Sequence, residues 1–276
     1  MGSVGVLLVV GTFAGVLAGF LGIGGGTVMV PAMVALGLSG VEAVGTSTLA
    51  ILIISLGGSL QNWRMGFLNI QNVLMLGLPS VVTAFVGTAL ASYSPEYLLL
   101  QIFGLFLLVN IYLIGLKKRV VAQASLPATQ AADDPDATPF SPQLASPDQR
   151  INPALARILI GGTAGFLAGL FGVGGGVVMV PLQILLLRET IKVAIQTSLG
   201  AVVITALSAC GWHILQGNVV PLTGALLGLG GLVGVQGSTR YLPKLPDPSV
   251  TLMFRALLAL FSLFFFYRSW TSLAAS

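Results

Sequence analysis

Residues 14–31 read AGVLAGFLGIGGGTVMVP, and residues 164–181 read AGFLAGLFGVGGGVVMVP. Thirteen of these 18 paired positions are identical at a constant offset of 150. A repeat of that quality makes the chain two copies of one unit. In each copy a glycine cluster (Gly22, Gly24, Gly25 and Gly26; Gly172, Gly174, Gly175 and Gly176) interrupts a long apolar run. A helix is locally expensive there, and the backbone is free to turn.

The surroundings of the clusters set the class. Of 276 residues, 55% are hydrophobic and only 7% charged, against roughly 25% charged in soluble domains. So few charges cannot clothe a globule of this size in water. Several apolar runs reach the roughly 17–25 residues that a membrane helix requires. The expectation is an all-α polytopic membrane protein; a β-barrel would show short alternating segments instead. The net charge of +4 fits basic loops on the cytoplasmic face, and no nucleic-acid patch is read from it. A single cysteine, Cys210, excludes an intrachain disulfide. The start, MGSVGVLLVV, lacks the basic residues of a signal peptide and is expected to belong to the first helix.

In chain order, residues 4–21 form an apolar helix rich in small residues, and 27–38 a piece of about 18 Å, too short to cross the hydrocarbon core. It is expected to fold back from a break inside the membrane. A polar connection from Ser39 to Ala43 leads to spans 44–60, 70–92 and 97–116, closed by Lys117, Lys118 and Arg119. Residues 120–152, rich in Ala, Pro, Ser, Gln and Asp, read as a flexible cytoplasmic linker between a first membrane repeat, 1–119, and a second, 153–276. The second half repeats the plan: 154–171, the glycine break, 177–187, then spans 192–210, 219–237 and 250–268.

Orientation follows from charge. With Lys117–Arg119 cytoplasmic and 4–38 a hairpin, each half makes an odd number of crossings. The halves are then inverted, and the basic residues other than Arg268 fall inside. A continuous crossing over 4–38 would move Arg188, Lys192, Arg240, Lys244 and Arg255 outside. The positive-inside bias favours the hairpin and the inverted arrangement. Inverted repeats with broken helices are a recurring plan of secondary transporters, with substrate held where the repeats meet.

Bare backbone is tolerated inside a bilayer only where protein or a water-filled cavity satisfies it. Each break precedes a short helix whose N-terminal N–H groups favour an anion. The candidate anion cradle is therefore Gly22, Gly24, Gly25 and Gly26 with Gly172, Gly174, Gly175 and Gly176; tight helix crossing is the structural alternative. A second paired element follows each hairpin: Thr46 and Ser47 in the first half, Gln196, Thr197 and Ser198 in the second. These side chains could donate to an oxyanion, or the hydroxyls could bond back to the preceding turn. Asn62, its counterpart His213, and Gln183 are further polar candidates in or beside apolar segments.

All eight acids fall in loops, the linker or span edges, so a carboxylate proton relay is unsupported. No paired acids, Cys/His cluster or Ser–His–Asp set suggests an enzyme, a metal or a cofactor. There is no Walker loop, and the glycines do not follow a soluble strand as a dinucleotide site requires.

The tandem GFLGIGGGTVMVP and GLFGVGGGVVMVP segments, each followed by a Thr-Ser pair, resemble the sulfite exporter TauE/SafE-like family of membrane permeases. The resemblance covers 4–116 and 154–270. It implies a multi-pass transporter of the cell (inner) membrane, moving sulfite, sulfoacetate or other sulfonates. The function expected is secondary transport of such an anion by alternating access. A coupling proton or sodium ion and homo-oligomeric assembly are compatible with it. A passive anion channel and a non-transporting membrane scaffold are the alternatives.

Overall fold

A computed structural model describes residues 2–91, 101–102, 104–112, 152–171 and 175–275. Those residues are helical with short connections, and among them there is no strand. The first half contains α1 (Gly2–Leu21), α2 (Gly26–Ala35), α3 (Gly40–Arg64) and α4 (Ile70–Ala91). The second contains α5 (Pro153–Phe171), α6 (Gly176–Leu186), α7 (Ile191–Leu215), α8 (Pro221–Tyr241) and α9 (Asp247–Ala275). The expected linker over 120–152 lies outside the described residues, apart from Asn152, as do Gly172 and Gly174.

Five of these helices are long and apolar enough to cross a membrane: α1, α3, α4, α7 and α9. The α8 helix has the length, about 31 Å at 1.5 Å per residue, but its glycines hold its hydropathy down. At about 15 Å, α2 reaches only half of a hydrocarbon core of roughly 30 Å. The chain is a multi-pass membrane protein.

One boundary corrects the sequence reading. The stretch from Ser39 to Ala43 is not a connection: all but Ser39 belong to the first turns of α3. Ser39 caps that helix, its Oγ accepting from the Glu42 amide while the Glu42 carboxylate accepts from the Ser39 amide at 3.0 Å. Each side chain satisfies an amide that a helix start would leave bare. Thr190 caps α7 in the same way, accepting from the Val193 amide.

Glycines set the helix packing. A Cβ at Gly11 would fall on the Leu227 carbonyl and one at Gly15 on the Gly231 carbonyl. In the other half, a Cβ at Gly161 would fall on the Leu76 carbonyl and one at Gly165 on the Ser80 carbonyl. These are the same positions at offset 150. In lipid, where packing replaces the hydrophobic drive, such backbone-to-backbone approach is what small residues permit. Each half thus lays its first helix against the fourth of the other, α1 on α8 and α5 on α4.

The contacts also give helix direction. Positions rise together along α1 and α8 (11 with 227, 15 with 231) and along α3 and α8 (Leu49 with Gly224, Ile53 with Gly228). So α1 and α3 run the same way, and the chain turns back between them. Along α3 and α7 the positions oppose: Gly58 meets Leu199, Ile51 and Val202 both meet Gly24, and Thr48 meets Cys210. Hydrophobic clusters join the halves; Leu21 and Ile23 pack with Ile184, Ile195 and Phe254, and Met29 and Ile54 with Leu199 and Val202.

Candidate functional site

The first glycine break is unwound and buried. Gly22, Gly24 and Gly25 have φ of 70°, 77° and 79°, the left-handed region that costs a residue with a Cβ roughly 1–2 kcal/mol. That excursion doubles the chain back on α1: a Cβ at Gly25 would lie 2.8 Å from the Ala14 carbonyl oxygen. Gly22 through Gly26 are all buried. The Gly22 amide donates to the Ala18 carbonyl, and the Gly25 carbonyl accepts from Val28 and Met29. Between them, the amides of Ile23, Gly24, Gly25, Gly26 and Thr27 meet no acceptor among the described residues. The Thr27 hydroxyl beside them is also buried without a partner. Unpaired donors next to the N-terminus of a helix favour an anion's oxygens.

At the start of α6, Gly176 reaches the first break. Gly176 packs directly on the Gly22 carbonyl and Ile23, and Gly22 packs on Ile195 of α7. Gly175 lies in the right-handed region (φ −67°), and its carbonyl accepts from Val178 and Met179 as that of Gly25 does from Val28 and Met29.

The hydroxyl pairs diverge. Thr46 is fully buried, and its Oγ1 accepts from the Val220 amide at 3.0 Å, tying α3 to the start of α8. Ser47 and Thr48 bond back, donating to the Val44 and Gly45 carbonyls at 2.7 and 2.6 Å. Ser198, by contrast, accepts from Gln183 Nε2 at 2.7 Å, and the same nitrogen reaches the Met179 and Ala194 carbonyls. Gln196 and Thr197 are buried beside it. Gln183 Oε1 has no partner.

Asn62 is 0% exposed, and neither Nδ2 nor Oδ1 has a partner. His213 is half-buried, with Nδ1 unpartnered. Sequence reasoning passed over Ser55 and Ser59. With Asn62 they stand at i, i+4 and i+7 on α3, the spacing of one helical face. Ser55 is fully buried, and the Ser59 hydroxyl is buried with no partner. That polar stripe was readable from its period. Among the described residues no group of three or more His, Cys, Asp or Glu could hold a metal ion.

Comparison with known proteins agrees with this architecture. The family model described as sulfite exporter TauE/SafE matches residues 7–265. The chain is 27% identical over 263 residues to the probable membrane transporter protein YunE of Bacillus subtilis, covering 92% of this chain and 94% of that protein. It is 26% identical over 209 residues to a probable membrane transporter protein of Methanocaldococcus jannaschii, covering 73% and 69%. It is 27% identical over 241 residues to one from a Sinorhizobium species, covering 85% and 81%. No solved structure matches the chain.

Proposed function

This chain belongs to the sulfite exporter TauE/SafE family, and we propose that it is a secondary transporter of small sulfur-containing anions, sulfite or organosulfonates, working by alternating access. It is a membrane transporter and not an enzyme; the proposal concerns substrate and mechanism. The observation that carries the proposal is the glycine break, where the amides from Ile23 to Thr27, across the unwound turn and the first two residues of α2, meet no acceptor among the described residues. An anion brought to that segment supplies the acceptors that the protein withholds, and α2 points its N-terminus at the negative charge.

The opposed course of α3 and α7, counterpart helices of the two halves, supports an inverted relation between the repeats. In that arrangement the two breaks meet at the centre, and rocking one repeat against the other exposes the site first to one side and then to the other. The relatives named as membrane transporters support transport without specifying a substrate.

The test is flux in liposomes holding the purified protein, screened across sulfite, thiosulfate, sulfonates and carboxylates with and without proton and sodium gradients. Gradient-coupled movement of sulfur anions is expected. Movement of carboxylates alone would overturn the substrate, and flux indifferent to either gradient would replace a coupled carrier by a passive channel.

A further inference from the structure

We infer, building on the anion-transport reading, that Ile51 and Val202 form a paired apolar gate over the first glycine break and set the width of anion that reaches it.

The two residues hold the same place in the two halves. Helices α3 and α7 begin at Gly40 and Ile191 and end at Arg64 and Leu215, an offset of 151 at both ends. Ile51 and Val202 are related by that same offset. Packed antiparallel helices bring a residue to its own counterpart at only one level. Gly58 meets Leu199 and Thr48 meets Cys210, which puts that level within a turn of Ile51 and Val202. The first break lies there too, because both side chains rest on Gly24.

The contact is close. A Cβ at Gly24 would stand 3.1 Å from Ile51 Cγ2 and 3.2 Å from Val202 Cγ1, and one at Gly26 would stand 2.7 Å from Ile51 Cδ1. Methyl groups therefore take the places that side chains would have at Gly24 and Gly26. Both Ile51 and Val202 are buried.

A methyl group accepts no hydrogen bond, so this cover does nothing for the amides from Ile23 to Thr27 that meet no acceptor among the described residues. An anion approaching the break from the side of Gly24 has to part Ile51 from Val202. Apolar constrictions of this kind hold back water and ions until they widen. One side chain comes from each half, so rocking one repeat against the other separates them without either leaving its own helix. The width of the gap then limits the width of the anion.

Ile54 supplies the contrast. It belongs to the same buried cluster as Ile51 and Val202, but it packs on Gly231 of α8 instead of on the break.

The experiment measures flux of methanesulfonate, propane-2-sulfonate and benzenesulfonate, anions of rising cross-section, into liposomes holding the purified protein. Wild-type flux is expected to fall along that series. Ile51→Ala and Val202→Ala are each expected to raise benzenesulfonate flux relative to methanesulfonate roughly tenfold. Ile51→Val, which loses only Cδ1 and keeps the fold, should give part of that gain, and Ile54→Val none. Folded Ile51→Val and Val202→Ala proteins with the wild-type size profile overturn the inference while leaving sulfur-anion transport standing. So does Ile54→Val relaxing the profile as much as Ile51→Val, since the effect would then be general loosening of the core. Wild-type flux equal for all three sulfonates overturns it as well. No flux of any sulfur anion removes the transport reading and this inference together.

Discussion

The carbonyl oxygen of Gly22 lies directly against Gly176, so the two halves of the chain touch at their glycine breaks through bare backbone. A methyl group at Gly176 would land on that oxygen, and beyond it on the Ile23 Cα. Both obstacles are main chain and cannot rotate away. Gly176→Ala is therefore expected to destabilise the protein by about 1–3 kcal/mol, the usual cost of overpacking. Gly175→Ala is the contrast. Its φ of −67° suits any residue, and the nearest obstacle is the flexible end of Met179 at 3.2 Å. It should cost less than about 1 kcal/mol. Thermal unfolding in detergent checks the pair; equal stability of the two variants would mean that the breaks are not in contact.

The break in the first half was legible beforehand; its contact with Gly176 was not. The offset of 150 and the interruption at Gly22–Gly26 point to two hairpins, because so short a piece after each cluster cannot cross the hydrocarbon core. The short α2 follows from its length. The capping box at Ser39 and Glu42 was also local, a Ser-x-x-Glu preceding an apolar run, yet the polarity of the stretch suggested a loop. Partners across the fold were not legible. Thr46 meets Val220 across 174 positions of sequence, and Gln183 meets Ser198 only because α6 folds back on α7. Helical period tells which residues share a face, but not what that face is pressed against. The Asn62 carboxamide looked interfacial beside Trp63 and Arg64, yet in the fold it is fully buried.

The Thr46 hydroxyl gives a second test. Val220 precedes the first residue of α8, and no side chain of its own caps that helix. Its amide depends on Thr46 Oγ1 at 3.0 Å. Thr46→Val keeps the shape and removes the acceptor, leaving a part-buried N–H unsatisfied at a cost of about 1–3 kcal/mol. Thr46→Ser keeps the oxygen and should restore most of that. Unfolding temperatures of the two variants decide; a Ser variant as unstable as the Val variant would assign the effect to the methyl group instead.

Arg157 and Glu189 make a third. Their 2.9 Å pair joins the start of α5 to the connection between α6 and α7, and both side chains are mostly buried, 17% and 13% exposed. Leu7 stands at the matching place in the first half, so this tie has no counterpart at that position. Removing one partner of a fully buried pair costs about 3–5 kcal/mol; with this partial exposure about 2 kcal/mol is expected for Glu189→Gln. Because part of the attraction reaches solvent, raising the salt concentration should narrow the gap between variant and wild type. A gap of zero at low salt would show the pair to be incidental.

The direction of the halves can be tested without reference to substrate. Met65 and Gln216 are the C-cap residues of α3 and α7, with matching φ of −85° and −84°, and they are related by an offset of 151. If the halves were copies in the same orientation, both positions would lie on one side of the membrane. An inverted arrangement, in keeping with the opposed course of α3 and α7, is expected to put them on opposite sides, with Met65, next to Arg64, in the cytoplasm by the positive-inside bias. Cys210→Ser removes the single native thiol, so that Met65→Cys or Gln216→Cys then carries the only label. In intact cells an impermeant maleimide should modify the cysteine at 216 and leave the one at 65 untouched until the membrane is opened. Labelling of both from outside, or of neither, would set the repeats side by side in the same sense. The two breaks would then have to be explained as helix crossings rather than as halves of one alternating site.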